Sequence, residues 1–79
     1  MPRFYFHLHN DIDIPDDLGV DLPSFDAAIA HGLDQARHLA SQIVLETGRI
    51  VLSHRIDIED EDGTVLDSVQ FRDVLKVED

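Results

Sequence analysis

SFDAAIAHGLDQARHLASQIVLETG, residues 24–48, is the stretch that decides the fold of this chain. Ser24 carries a hydroxyl suited to accept from a free amide of a first helical turn. Pro23 restricts the backbone ahead of it, and Asp26 sets a carboxylate at the positive end of a helix dipole. Gly48 can adopt the left-handed conformation that ends helices. Between these signals Phe25, Ile29, Leu33, Ala36, Ala40, Ile43 and Val44 recur at helical spacing and share one face. His31, Asp34, Gln35, His38, Ser41, Gln42 and Glu46 fall on the opposite face.

A helix over this stretch is roughly 35 Å long at about 1.5 Å per residue. The strands read elsewhere in the chain are roughly 20 to 26 Å long. One short sheet is therefore expected to leave part of the helix uncovered. A row of small residues, Ala28, Gly32, Ala36 and Ala40, also recurs at every fourth position. Such a row allows another backbone to come close. It lies either against this chain's own sheet or against the helix of a second copy, as a candidate dimer row.

Outward from the helix, the chain breaks into short strands and turns. Arg3 to His9 alternates, with Phe4, Phe6 and Leu8 on one face and Arg3, Tyr5, His7 and His9 on the other. Asn10 to Pro23 holds an extended piece around Ile12 and Ile14 that Pro15 ends or confines to a sheet edge. A tight turn follows at Asp16 to Gly19, then a short strand at Val20 to Leu22. Asp11, Asp13, Asp16 and Asp17 do not make a calcium loop. Counted from Asp11, Pro15 stands at the fifth position, Asp16 at the sixth and Leu22 at the twelfth, where the EF-hand needs an acidic residue, glycine and glutamate. They read as turn and capping residues.

After the helix, Ser53 to Glu59 sets Ile56 and Ile58 on one face and Arg55, Asp57 and Glu59 on the other. Asp60 to Gly63 predicts a type I turn with a glycine bulge, and Thr64 to Phe71 returns as the partner strand. Val69 and Phe71 share a face with Leu66 only if an extra residue enters near Asp67–Ser68, so a β-bulge is expected there. Phe71 to Leu75 reads as one helical turn that tucks Leu75 back. Val77 to Asp79 reads as a charged, frayed end.

These readings combine into an α+β fold: an antiparallel sheet of three or four strands with one long helix on one face, in the order β-β-α-β-β. The predicted core sets Phe4, Phe6, Leu8, Ile56, Ile58, Leu66 and Phe71 against Ile29, Leu33, Ala36, Ala40 and Ile43. The whole chain, residues 1–79, makes one domain. A domain of this size is often marginal alone, and with no cysteine there is no disulfide to staple it. A homodimer is the expected way to enlarge the core.

Charge and hydropathy exclude some roles. Seventeen acidic residues against six basic ones give a net charge of −11, which opposes binding to a phosphate backbone. No run approaches the roughly 20 apolar residues of a membrane span, and Met1-Pro2-Arg3-Phe4 lacks the apolar core of a signal peptide. The expected location is the cytoplasm, with no nucleic-acid or membrane partner.

Three motifs line up. They are Pro2 to Leu8, the turn Asp17 to Leu22 before an alanine-rich helix, and Ile56 to Gly63 followed by Phe71 to Leu75. Together they resemble a family of small single-domain proteins of unknown function from rhizobia and related alphaproteobacteria. The resemblance spans nearly the whole chain. It implies a stand-alone bacterial domain and brings no activity to any residue.

Candidate chemistry is sparse. His7 and His9 lie two apart on one strand face and can offer two imidazoles to zinc, copper or nickel. Asp57 or Glu59 would supply a third ligand, whereas His54 has the parity of the core side. Together with Tyr5 and Arg55 these residues form a candidate binding face: Tyr5, His7, His9, Arg55, Asp57 and Glu59. On the helix, His31, Asp34 and His38 read as a polar surface. No serine sits in a nucleophile elbow, and no cofactor is implied. The expected function is a self-associating protein-interaction or regulatory module, not an enzyme, with metal binding by His7 and His9 as the alternative.

Overall fold

The computed structural model describes residues 1–79 and places helix α1 at Phe25–Thr47. Its ends are those the sequence predicts. Ser24 Oγ accepts from the Ala27 amide at 3.1 Å. Gly48, at φ 70°, donates its amide to the Val44 carbonyl at 2.8 Å. Strands β1 (Arg3–His9), β2 (Asp13–Ile14) and β3 (Val20–Asp21) precede the helix. Strands β4 (Arg55–Glu59) and β5 (Val65–Gln70) follow it, and a 3-10 turn spans Phe71–Asp73.

All strand pairs are antiparallel, in the order β2-β1-β4-β5, with β3 also paired to β1. There are thus five strands where three or four are predicted. Pro15 cannot donate to the ladder; the chain leaves the edge after Ile14 and rejoins it at Val20. β2 and β3 therefore hold opposite ends of β1, at Leu8–His9 and Arg3–Phe4.

Carboxylates complete both edges. In the gap between β2 and β3, Asp16 Oδ2 accepts the Phe6 amide at 3.1 Å, and its Oδ1 accepts the amides of Leu18 and Gly19. On the far edge the Phe71 amide donates to the His54 carbonyl. By strand alternation, the Ser68 and Gln70 amides turn away from β4. Asp67 Oδ1 takes the first and Asp73 Oδ2 the second, each at 2.8 Å.

The β4–β5 turn closes as predicted, with Gly63 at φ 81° and its amide on the Asp60 carbonyl at 3.1 Å. The bulge falls at Leu66, next to the predicted Asp67–Ser68: Ile58 pairs with Asp67, while Glu59 pairs with Val65. The shift brings Val69 opposite Ile56 and into the core. It also displaces Leu66, predicted to be buried, to the exposed surface.

The core is Phe4, Phe6, Ile56, Ile58, Val69, Phe71 and Val74, packed with Ala28, Ala36 and Ala40. The row Ala28, Gly32, Ala36 and Ala40 is buried inside this chain, which corrects its reading as a dimer row. A Cβ on Gly32 would stand 2.9 Å from Ile58 Cδ1. The small residues mark where helix and sheet come closest, so the larger residues of the stripe flank the contact. Ile29, Leu39 and Ile43 pack at its margins, while Leu33, predicted in the core, is exposed beside Phe25 and Val44. The helix lies over β4, β5 and the 3-10 turn, and Arg37 Nε donates to the Val74 carbonyl at 3.2 Å. No helix is long and apolar enough to cross a membrane.

Candidate functional site

Period-two alternation turns Tyr5, His7 and His9 of β1 and Arg55, Asp57 and Glu59 of β4 away from the helix. The register sets Tyr5 beside Glu59, His7 beside Asp57 and His9 beside Arg55. All six residues of the predicted binding face therefore meet on one surface. Tyr5 and His7 stack with their rings 6.4 Å apart.

Asp57 is the hub of this face and is only 7% exposed. Its Oδ1 accepts from Ser68 Oγ at 2.6 Å and Arg55 Nε at 3.0 Å. Its Oδ2 lies 3.0 Å from His9 Nε2. Burial pushes the Asp57 carboxyl up, but the bonds from Ser68 and Arg55 and the charges of Arg55 and His9 outweigh it and hold the group below the usual carboxylate range.

The two histidines are engaged differently. His9 Nδ1 lies 2.8 Å from Asp13 Oδ1, so a carboxylate faces each ring nitrogen. Only the imidazolium donates to both. His7 Nδ1 accepts the Asp16 amide at 2.9 Å, which leaves its proton on Nε2, 3.4 Å from Glu59 Oε2. Neither ring keeps a lone pair free for a metal, and no three histidine or acidic side chains are disposed to hold one. A cleft of about 300 Å³ beside them is lined by His7, His9, Asp13, Ile14, Pro15 and Glu59. Ser68 donates to the Asp57 carboxylate and not to an imidazole, so it forms no serine–histidine pair of the kind that activates a nucleophile.

The other histidines fall elsewhere. His54 faces the core side, as its parity predicts; its ring meets Phe71 edge-on at 6.2 Å, and its Nε2 stands 3.5 Å from Asp11 Oδ1. His31, read as polar surface, packs its ring 4.6 Å from that of Phe6. Asp34 and His38 stay exposed. Asp13, Asp16 and Ser68 are the members of the network outside the predicted face. Asp16 followed by Leu18-Gly19 carries the signature of a side chain that caps its own turn; its bond to Phe6 depends on the gap between β2 and β3.

Asp16 gives the site an acid limit. Burial pushes its carboxyl up, yet the amides of Gly19, Phe6 and Leu18 hold it below the ordinary value. The stability it contributes is complete above the unfolded value, about 3.9. That contribution vanishes as pH falls through the lower folded value. The gap in melting temperature between wild type and Asp16→Asn is expected to be widest near neutrality and to close below about pH 4. A gap that persists unchanged to about pH 2 would contradict this role.

Residues 3–72 match the family described as a domain of unknown function, DUF6894, and the chain belongs to that family. No curated protein and no solved structure matches the chain.

Proposed function

We propose that this DUF6894 domain is a small acidic interaction module that self-associates and engages a protein partner, and that it is not an enzyme. The observation behind this reading is the half-covered apolar stripe of α1. Phe25, Leu33 and Val44 are 44%, 37% and 44% exposed although they belong to the stripe. Leu33 and Val44 lie about three turns apart on the same side of the helix. An apolar surface of this kind on a small domain supports association. The contact would run along Leu33 and Val44, since the small-residue row is occupied by the sheet.

The open face of the sheet supports a binding role over a catalytic one, because its acids and imidazoles are closed on one another. The alternative of metal binding by His7 and His9 has no comparable support, since all four ring nitrogens face partners within the chain.

Each copy carries −11, so pairing works against like-charge repulsion that salt screens. Self-association is expected to strengthen between about 50 mM and about 500 mM salt. Light scattering should then move from 8.9 kDa toward twice that mass. Leu33→Ser combined with Val44→Ser should hold it at 8.9 kDa. A monomer at every concentration and salt level would remove the reading.

A further inference from the structure

Strand β2 pairs with β1 through two residue pairs only, and its two residues are exposed. What fastens it is a set of contacts with histidines. His54 Nε2 stands 3.5 Å from Asp11 Oδ1, His9 Nδ1 2.8 Å from Asp13 Oδ1, and the Asp16 amide donates to His7 Nδ1 at 2.9 Å. We propose that the segment Asn10–Pro15 is a flap whose docking on β1 responds to pH in opposite directions through His9 and His7. It is tightest where His9 is charged and His7 is neutral.

The opposing signs follow from what each ring faces. His9 sees Asp13 of β2 on one nitrogen and Asp57 of β4 on the other. Arg55 stands beside it in register, but directs its guanidinium to Asp57. Loss of the His9 proton leaves a ring lone pair against a carboxylate and weakens the hold on one of them. His7 faces the Asp16 amide, the nearby Asp16 carboxylate, Glu59 Oε2, the Tyr5 ring and, across the register, Asp57. A second proton on His7 would sit on Nδ1, directly against the Asp16 amide, and expel that bond. Rising pH therefore loosens the flap through His9, and falling pH loosens it through His7. Asp16 stays ionised over this span and keeps its own bond to Phe6, so the motion hinges at Pro15–Asp16.

Undocking has two consequences. It removes Ile14 from the wall shared by the 300 Å³ cleft and a second cleft of about 480 Å³ between β1 and the helix. It also bares the outer edge of β1 at Leu8 and His9.

Amide hydrogen exchange of the full chain tests the proposal, with rates corrected for intrinsic pH dependence. Protection at Leu8 and Ile14 is expected to pass through a maximum with pH and to fall up to roughly tenfold on each side, the scale of one hydrogen bond. Ile58, in the core, should show no such peak. With the His54–Asp11 contact removed by His54→Gln in each case, His9→Gln should abolish the alkaline fall and His7→Gln the acid fall. Ring nitrogen shifts of His7 and His9 should follow the same two transitions. The proposal is overturned if Leu8 and Ile14 protection is flat with pH, if it tracks Ile58 throughout, or if either variant keeps the limb assigned to its histidine.

Discussion

Replacing Asp57 with alanine is expected to cost about 2 to 3 kcal/mol, because two charge-assisted bonds and a hydroxyl bond disappear from a nearly water-free position. For a domain of this size that lowers the melting temperature by roughly 10 to 20 °C. The loss stops short of a buried ion pair's full value, because Arg55 and His9 remain partly exposed and can be rehydrated. Asp57→Asn keeps the shape and one acceptor for Ser68, and should lose about half as much. The outcome bears on function as well as stability. Carboxylates held for chemistry commonly destabilise their fold, so replacing one is neutral or stabilising. An unchanged or raised melting temperature for Asp57→Ala would mark the open face as a working site and count against a structural network.

Gly32→Leu is the second large effect. The first added carbon alone would stand 2.9 Å from Ile58 Cδ1, in a core where Ile58 is fully buried. Overpacking of this kind costs about 3 kcal/mol, of which better helix propensity returns about 1 kcal/mol. Gly32→Ala sets a similar propensity gain against one close contact and should come out near zero. Thermal unfolding of both variants checks this, alongside light scattering. If Gly32→Leu melted like wild type while its association changed, the small-residue row would belong to an interface between copies. If it melts well below wild type, the row belongs to the helix–sheet contact.

That distinction shows what was legible from the residues. The helix limits, the hairpin turn and the six-residue open face each depend on local chemistry: a capping hydroxyl, positive-φ glycines, and alternation along two strands. The buried side of α1 depends on closest approach. Periodicity locates the large apolar residues, but the sheet settles on the small ones beside them, and Leu33 is left at the margin. Leu66 leaves the core because the bulge falls on it, one residue before the expected position, while Val69 keeps the face that a bulge was expected to give it. The histidine network was half visible. His7 and His9 share a face by parity alone, whereas their partners Asp13 and Asp16 arrive from a segment whose path depends on Pro15 and on a gap in the sheet edge.

The carboxylates of Asp16, Asp67 and Asp73 stand on the outward amides of Phe6, Ser68 and Gln70. A sheet with bare edges can recruit strands from other chains and grow without limit, the first step toward fibrils. Here those donor positions are already taken by the chain's own acids, and each blocked amide carries a negative charge that repels the next molecule. Part of the acidity therefore acts at defined points of the backbone as a barrier to polymerisation. Any pairing of two copies is steered away from the strand edges and toward the side-chain surface of the helix.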